Sequence, residues 1–505
     1  MSLGDNLREM ERGREAYWSK HPGTSPIKLR WRALTVRHCF HVLPGQRILE
    51  VGAGTGLWTE HLTEVLRGEN PITAATFHAD YAKTLAERAL ANTSVVHVED
   101  LDALAPESFD YVVGTAILCH DLYPLHLKAI HRLLKPGGQM LFFEANLWNP
   151  QVLLKNTVPL VGRWTGQTRC QVGMRKFQLM QMASHQGFVD LEVVPYDIVH
   201  PRTPRSMVPW LQQMAFIAEH APLIRNLCGT LYIWGRRPGT APEPRARVDL
   251  AEHRDLFGQV SFVIPCHNEE MNVPHLVATL VSNYDAYIHE IVLVNDNSTD
   301  RTSAVAKEVA AEEPRVVVVD RTPPNGVGRA LRDGYAAATG RYILTMDCDF
   351  VQIVPEFRDL FDAVAAGHEG AIGSRFSHES ILINYPFFKT LCNRTFHLLI
   401  NVLLRRGVRD VSNNLKLYRA EILKGLEIEE GHFAANAETG LKPLIAGHDV
   451  VEVPTSWINR TPEMGRSSFH TLKVAPAYAA ALARVVWRTW RGRRDFTRQQ
   501  PLTTP

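Results

Sequence analysis

Apolar runs that end in polar or glycine-rich turns, each followed by a helical stretch, recur along two parts of the chain. One series lies between residues 48 and 234, and the other lies between residues 260 and 454. Continuous β-branched runs are typical of strands in parallel sheets, because crossover helices bury both faces of such a sheet. The pattern therefore predicts an α/β protein with two domains, each built on its own sheet.

A Pro-rich stretch separates the two series. Residues 236–245 read RRPGTAPEPR, and proline lacks an amide donor and holds the preceding residue extended. We therefore predict a first domain at 1–237 that begins with a helical lid at 1–45, a linker at 238–251 and a second domain at 252–505.

The composition bears on the cellular compartment of the protein and on its partners. The net charge of +2 gives no global field for nucleic acid, and the seven scattered cysteines contain no CxxC pair, which favours a reducing compartment. The sequence shows no signal-peptide pattern, and no apolar run approaches the ~20 residues of a spanning helix. We expect a cytoplasmic protein without a nucleic-acid partner.

A glycine-rich turn follows the first strand of the first domain. Residues 47–60 read RILEVGAGTGLWTE, with Glu50 before the glycines Gly52, Gly54 and Gly56. Glycines are needed where backbone approaches a ligand closely or takes a positive φ. The GxGxG spacing differs from the GxGxxG of dinucleotide-binding turns, which argues against a dinucleotide ligand.

This stretch resembles the first motif, E/DxGxGxG, of the class I S-adenosylmethionine-dependent methyltransferases. Later runs at 72–78, 94–98, 108–113, 133–144, 187–194 and 229–234 resemble the strands of the same family in the same order. The resemblance implies a Rossmann-like sheet that binds S-adenosyl-L-methionine through Glu50, Gly52, Gly54, Gly56, Asp80 at the ribose and Asp100 at the adenine. The alternative is a Rossmann-like domain that has lost its cofactor.

The methyl acceptor has no motif of its own. His120 follows the fourth strand, where it could deprotonate a hydroxyl, or it could only shape the cofactor pocket. Residues 147–173 and 200–228 are rich in Trp, Pro, Met and Arg, and we expect them to cover the acceptor.

Two carboxylates follow an apolar run in the second domain. Residues 342–350 read YILTMDCDF, which predicts a buried strand that presents Asp347 and Asp349 at the carboxyl edge of the sheet. Two acids at this edge are costly unless a cation pairs with them, and Mg²⁺ or Mn²⁺ holding a substrate diphosphate is a common solution. The alternative is that the pair only caps the helix that follows.

Three further motifs accompany this acidic pair: IPCHNEE at 264–270, VNDNSTD at 294–300 and NGVGRALRDG at 325–334. Together they resemble the family 2 glycosyltransferases with a GT-A-type fold, although Asn295 stands where that family usually has an aspartate. The resemblance implies a metal at Asp347 and Asp349. It also implies a UDP- or GDP-linked sugar donor held by Pro265, Asn268, Glu269, Asp296, Arg329, Asp347 and Arg375.

Later motifs resemble the dolichol- or polyprenyl-phosphate sugar synthase branch: GSRF at 373–376, RDVSNNLKLYR at 409–419 and EVP at 452–454. The resemblance implies inverting transfer to a lipid phosphate or lipid-linked glycan, with Arg460 and Arg466 gripping phosphates unless they form surface ion pairs. A phosphate acceptor needs no base. A soluble or peptide-borne hydroxyl acceptor would need one, with Glu438 the first candidate and Asp410 the second.

Two apolar stripes with basic ends, at 384–406 and 470–494, suggest peripheral contact with the inner face of a membrane. The alternative is that both stripes pack on their own domain. The sequence as a whole predicts a bifunctional enzyme that transfers methyl groups and sugars, or an enzyme in which one inactive domain serves as a scaffold.

Overall fold

The computed structural model describes residues 3–118, 122–158, 160–161, 173–239, 248–383, 385–458 and 471–497. The chain divides into two compact units, Met1–Ala246 and Arg247–Pro505. This division falls inside the predicted linker, whose bounds stay a prediction because residues 240–247 lie outside the described residues.

The first unit is built on a seven-stranded sheet of order β3-β2-β1-β4-β5-β7-β6. Its strands are β1 Ile48–Val51, β2 Ile72–Thr76, β3 Thr93–His97, β4 Phe109–Thr115, β5 Leu134–Ala145, β6 Val189–Tyr196 and β7 Thr230–Arg236. The described helices are α1 Leu3–Ser19, α2 Ser25–Phe40, α3 Thr59–Val65, α4 Ala79–Glu87, α5 Tyr123–Leu133, α6 Pro150–Thr157, α7 Lys176–His185 and α8 Val208–Ala218.

Strands β1 to β5 pair in parallel with one another, and β7 is antiparallel to its two neighbours, β5 and β6. All four residues of β1 are buried, including Glu50. Because the carboxyl ends of parallel strands share one edge, the loops after β1, β2, β4 and β5 open onto the same side of the sheet. Helices α1 and α2 lie within the segment 1–45, whose role as a lid stays a prediction.

The second unit has a seven-stranded sheet of order β10-β9-β8-β11-β14-β12-β15 and a two-stranded sheet, β13-β16. Its strands are β8 Val260–Cys266, β9 Ile288–Asn295, β10 Val316–Asp320, β11 Tyr342–Thr345, β12 Gly370–Ser374, β13 Leu382–Ile383, β14 Lys416–Arg419, β15 Val450–Pro454 and β16 Trp457–Ile458. The described helices are α9 Val273–Tyr284, α10 Thr302–Glu312, α11 Val327–Ala337, α12 Arg358–Ala365, α13 Phe387–Leu404, α14 Ala420–Gly425, α15 Ala435–Ala446 and α16 Thr471–Trp490.

Strand β11 lies at the centre of the second sheet. It is parallel to β8, with Leu344 opposite Phe262, and antiparallel to β14, with Leu344 opposite Leu417. All four of its residues are buried. The residues that follow Thr345 therefore begin at the carboxyl edge of the sheet. None of the helices in the described part of the chain combines the length and the apolar character that a membrane span requires.

Candidate active sites

The predicted acidic pair follows β11 at the carboxyl edge of the second sheet. Asp347 and Asp349 both line one cavity of about 1030 Å³. The side-chain amide of Asn414 donates to Asp347 Oδ1 at 2.8 Å and so orients this carboxylate. Asp349 precedes the helical turn Phe350–Phe357 but makes no side-chain capping bond to it. The alternative that the pair serves as a helix cap is therefore not supported.

The two carboxylates suit a hard divalent cation. Mg²⁺ takes oxygen ligands and is usually held by one or two carboxylates together with substrate phosphates. Among the described residues, a group of three potential metal ligands occurs only at Glu252, His253 and Asp362, none of which lines this cavity. The acidic pair thus fits a metal whose coordination is completed by a donor diphosphate.

Asp296, at the end of β9, shapes the wall of the cavity next to the acids. Its carboxylate is ion-paired with Arg321 and accepts the backbone amide of Gly326 at 2.6 Å. A Cβ atom at position 326 would lie 2.1 Å from the Gly431 carbonyl oxygen, so that only glycine fits there. The start of α11 is thereby fixed beside the cavity.

The other residues predicted to bind the nucleotide fall into two groups. Pro265 and Glu269 line the cavity, as predicted for donor contacts. Asn268 and Arg329 are not among its lining residues. Asn268 Oδ1 accepts the Thr299 amide at 2.8 Å, and Arg329 Nη1 donates to a backbone carbonyl at 2.8 Å, so both support loops.

Arg375 and Asp410 are paired with each other. Nε of the arginine lies 2.6 Å from Oδ2 of the aspartate, and Nη2 lies 3.0 Å from Oδ1. Arg375 lines the cavity, whereas Asp410 is fully buried and is not among the lining residues. Burial would raise the pKa of Asp410, but the guanidinium outweighs this and holds the pKa well below its usual range.

Glu438, the first candidate for a base, is also buried and is not among the lining residues. Its Oε2 accepts the backbone amides of Glu429 and Glu430, each at 2.9 Å. Its Oε1 lies 2.9 Å from Lys442 Nζ, one turn along α15. These contacts give Glu438 the geometry of an anchor between α15 and the loop before it.

The cavity continues from the acids into an apolar channel between α13 and α16. The channel is lined from the two helices by Phe396, Leu399, Leu403, Leu482, Val486 and Trp490. The indole Nε1 of Trp490 donates to the Leu403 carbonyl at 3.1 Å and ties the ends of the helices together. The two apolar stripes therefore form helices that pack on each other, yet Trp487 and Trp490 remain exposed.

A lysine that the sequence analysis did not single out also lines this cavity. Lys389 lines the cavity, and its Nζ is 5.2 Å from the Tyr385 ring centroid and 5.4 Å from that of Trp457. The Arg375 guanidinium is also 5.4 Å from the Trp457 ring centroid. The available signal was a lysine in the first turn of α13, a helix that also carries Arg394.

The glycine-rich turn of the first unit has the backbone that its sequence predicts. Gly52, Gly54 and Gly56 all have positive φ, between 61° and 86°. Glu50 is fully buried beneath the turn, and burial raises its pKa to about 7 because the charged carboxylate is disfavoured there.

Helix α1 lies directly over this turn. Glu11 accepts the amide of Gly54 with Oε1 and the amide of Phe77 with Oε2, both at 2.9 Å. Glu15 accepts a hydrogen bond from the Thr55 hydroxyl, and a Cβ atom on Gly54 would lie 2.4 Å from Glu15 Oε2. The carboxylates of α1 thus occupy the surface that a cofactor would use.

The charges around the turn nevertheless suit S-adenosyl-L-methionine. Glu11, Glu15 and Glu50 supply three buried carboxylates, and Arg14 supplies one buried guanidinium, which donates to the Thr115 carbonyl at 3.4 Å. Such a cluster favours a ligand with positive charge, because buried charges need partners. A sulfonium and an ammonium group would satisfy it once α1 released the backbone amides.

The ribose acid predicted at the end of β2 is misplaced. The strand ends at Thr76, so Asp80 falls in the first turn of α4, where it is exposed. Asp100 accepts the amide of Asp102 at 3.3 Å, and its role at the adenine stays a prediction. His120, Arg460 and Arg466 lie outside the described residues, and their roles stay predictions as well.

Comparison with known proteins agrees with both motif series. The profile described as Glycosyl transferase family 2 matches residues 261–426, and the profile described as Methyltransferase domain matches residues 48–138. Polyprenol monophosphomannose synthase of Mycolicibacterium smegmatis is 30% identical over 225 residues, which cover 42% of this chain and 82% of that protein. Dolichol-phosphate mannosyltransferase of Pyrococcus furiosus is 30% identical over 198 residues, which cover 39% of this chain and 55% of that protein.

One solved structure to which part of the chain is similar is glucosyl-3-phosphoglycerate synthase from Mycobacterium tuberculosis in complex with Mn²⁺, uridine diphosphate and phosphoglyceric acid. It is 18% identical, covers 48% of this chain and 80% of its own, and has a TM-score of 0.35.

The first unit is a methyltransferase domain and the second is a family 2 glycosyltransferase domain, so the chain is an enzyme. The chain belongs to glycosyl transferase family 2. The two-domain α/β organisation predicted from the motifs is confirmed.

Proposed function

We propose that the second unit transfers a hexose from a GDP- or UDP-linked donor to a polyprenyl phosphate, with inversion at the anomeric carbon. The observation that carries this proposal is the single cavity that joins Asp347 and Asp349 to the apolar channel between α13 and α16. A nucleotide-sugar fits the polar end, and a prenyl chain fits the apolar end. The names of the two relatives make a mannosyl donor the first to test.

In this proposal the acids bind the metal and, through it, the donor diphosphate, whereas the cationic side chains bind the acceptor phosphate. Asp347 and Asp349 hold Mg²⁺ or Mn²⁺, which when bound stabilises the charge that develops on the leaving diphosphate. Pro265, Glu269 and Asp296 line the donor end of the cavity. Lys389 and Arg375 also line the cavity, each 5.4 Å from the Trp457 ring centroid, and orient the acceptor phosphate.

The positions of the two candidate bases favour a phosphate acceptor over a hydroxyl. Within the described residues, neither Glu438 nor Asp410 lines the cavity, and each is held in an ion pair. A phosphate oxygen is already anionic and attacks the anomeric carbon without losing a proton. A soluble or peptide-borne hydroxyl acceptor remains the rival proposal.

The test uses the full chain, GDP-mannose or UDP-glucose, Mn²⁺ and a polyprenyl phosphate in detergent. We expect sugar to enter the organic phase, with loss of transfer in Asp347→Asn, in Asp349→Asn and after chelation of the metal. Glu308→Gln, an exposed acid on α10, is the matched control and should keep full activity. Transfer only to water-soluble hydroxyl acceptors, with strong loss in Glu438→Gln, would instead support the rival.

We further infer that the first unit transfers a methyl group from S-adenosyl-L-methionine, which makes the chain bifunctional. The glycine turn and the match of residues 48–138 to the methyltransferase profile support this cofactor. Calorimetric titration with S-adenosyl-L-methionine tests it, since a domain that serves only as a scaffold should bind none. Incubation with both donors then shows whether one acceptor receives both groups.

Peripheral attachment to the cytoplasmic face of a membrane is part of the same proposal. The exposed Trp487 and Trp490 of α16, followed by Arg491, Arg493 and Arg494, suit the interface of an anionic bilayer. Vesicle sedimentation of Trp487→Ser and Trp490→Ser variants would measure this contribution.

A further inference from the structure

Two segments of the first unit are almost free of acidic residues. Residues 146–187 contain no Asp or Glu, and residues 198–228 contain only Glu219, although the whole chain has 53 acids among 505 residues. The same two segments carry eight Lys and Arg residues. The one acid does not offset this charge, because burial raises the pKa of Glu219 to about 8 and its carboxylate accepts the Asp197 amide at 3.1 Å.

The described parts of these segments also expose large apolar side chains. Met207, just before α8, and Trp210 and Met214 on α8 lie at helical spacing and are exposed, while Val208 and Phe216 of this helix are buried. Helix α6 has no buried residue and exposes Leu153 and Leu154. The helical turn 224–227 adds Ile224 and Leu227, both nearly half exposed.

Hydrogen bonds hold these pieces side by side. Asn149 Nδ2, at the start of α6, donates to the Leu227 carbonyl at 2.6 Å. Gln151 Oε1 of α6 is 3.1 Å from His200 Nε2, in the loop that leads to α8. We call residues 147–158, 175–177, 200–214 and 222–227 the acid-free surface. Its exposed cations include Lys155, Arg175, Arg202, Arg205 and Arg225.

The acid-free surface borders the edge at which methyl transfer would occur. Its segments follow the ends of β5 and β6 and precede the start of β7. Because β7 is antiparallel to both neighbours, all three of these chain positions lie at the carboxyl edge that also carries the glycine turn after β1. An acceptor must therefore approach the cofactor past this surface.

We propose that the acid-free surface binds the headgroup region of an anionic lipid bilayer, so that the methyltransferase domain takes a lipid-borne acceptor. Exposed Trp, Leu and Met side chains enter the boundary between headgroups and acyl chains, and Lys and Arg pair with anionic lipids. The missing acids matter because a carboxylate here would be repelled by the same lipids. The acceptor part of this inference rests on the proposed methyl transfer, whereas the bilayer contact does not.

The decisive experiment is hydrogen exchange of the full chain with vesicles of phosphatidylcholine, alone or mixed with phosphatidylglycerol. We expect slower exchange of residues 147–158 and 200–227 only with the anionic vesicles. This local readout separates the acid-free surface from any contact made by α16. If both segments exchange at the same rate with and without anionic vesicles, the proposal is overturned.

Charge reversal provides the matched comparison. Arg202→Glu/Arg205→Glu/Arg225→Glu should lose the protection and weaken vesicle binding at least about tenfold, since each basic residue near an anionic surface contributes about fivefold. Lys20→Glu/Lys83→Glu/Lys128→Glu changes the net charge equally at exposed sites elsewhere on this unit and should keep the protection. Equal loss of protection in both variants would show that only the net charge matters, and it would overturn the proposal. Protection by an added acidic protein but not by vesicles would also overturn it.

The acceptor is tested separately with labelled S-adenosyl-L-methionine and the same vesicles loaded with a lipid extract. Label in the organic phase that falls in the Arg202→Glu/Arg205→Glu/Arg225→Glu variant supports a lipid-borne acceptor. Label confined to water-soluble products refutes that part. If no label is transferred although exchange shows bilayer contact, the proposed methyl transfer fails while the docking surface stands.

Discussion

The carboxylate of Asp410 is ion-paired with Arg375, and its backbone amide donates to the Glu452 carboxylate. Both oxygens of its carboxylate are bonded to the guanidinium, and its own backbone amide donates to Glu452 Oε1 at 2.5 Å. Arg375 lines the cavity, where its guanidinium is 5.4 Å from the Trp457 ring centroid, whereas Asp410 is not among the lining residues. This arrangement makes the aspartate a support for Arg375 and not a proton acceptor.

The first prediction concerns Asp410→Asn. Removal of one partner from a buried ion pair costs about 3–5 kcal/mol, because the other charge is left buried without compensation. We therefore expect hydrogen exchange in β12 and β14 to accelerate strongly, with Asp449→Asn, an exposed acid paired with His368, as a nearly neutral control. A variant with unchanged exchange but a selective loss of kcat would restore Asp410 as a base.

The second prediction concerns Lys389→Met. If Lys389 orients the acceptor phosphate, loss of a charge-assisted hydrogen bond of about 1.5–3 kcal/mol should raise the KM for polyprenyl phosphate by roughly tenfold or more. The KM for the nucleotide-sugar should stay unchanged, and Lys389→Arg should recover part of the effect. Lys473→Met, an exposed lysine on α16, is the control. An equal rise in both KM values would assign Lys389 to the donor.

Local sequence patterns predicted the strands and the acidic pair well, because a buried run followed by a polar turn is specified by adjacent residues. Pairing over long distances was not predictable in this way. Arg375 and Asp410 are 35 positions apart, and each matched a motif by itself. Asn295 is similar: its amide donates to Asp320 Oδ1 at 2.8 Å, a contact that an aspartate at 295 could not make without repulsion.

In the first unit, too, a contact between residues far apart in the sequence was not predictable from local patterns. The helical pattern of residues 1–45 was clear, but the sequence did not reveal that Glu11 bonds to Gly54, 43 positions away. The predicted ribose acid failed for a local reason, since β2 ends at Thr76 and not at residue 80. Strand ends are set by where tertiary hydrogen bonds stop, and composition alone places them only approximately.

The third prediction concerns Glu11→Ala. Because Glu11 holds two backbone amides of the cofactor cleft, its removal should release α1 and tighten the binding of S-adenosylhomocysteine by about tenfold. Calorimetry measures the affinity, and hydrogen exchange of residues 3–19 measures the release. Arg12→Ala alters the exposed face of the same helix and should change neither. Weaker binding in Glu11→Ala would show that this carboxylate contacts the cofactor directly.

The fourth prediction concerns the pH dependence of stability at Glu50. Its pKa in the folded cofactor-free protein is about 7, above the ordinary value of 4.5, so the folded state retains a proton that the unfolded state loses. Stability therefore falls as the pH rises from about 4.5 to 7, by on the order of 3 kcal/mol, and then levels off.

Glu50→Gln, a neutral side chain of the same shape, should remove this slope and become progressively more stable than the natural protein across that range. Urea unfolding followed by exchange of the β1 amides measures the difference, with the exposed Glu64→Gln as control. A constant difference between pH 5 and pH 7.5 would mean that Arg14 keeps Glu50 ionised throughout, and the buried cluster would then carry its full negative charge without any ligand.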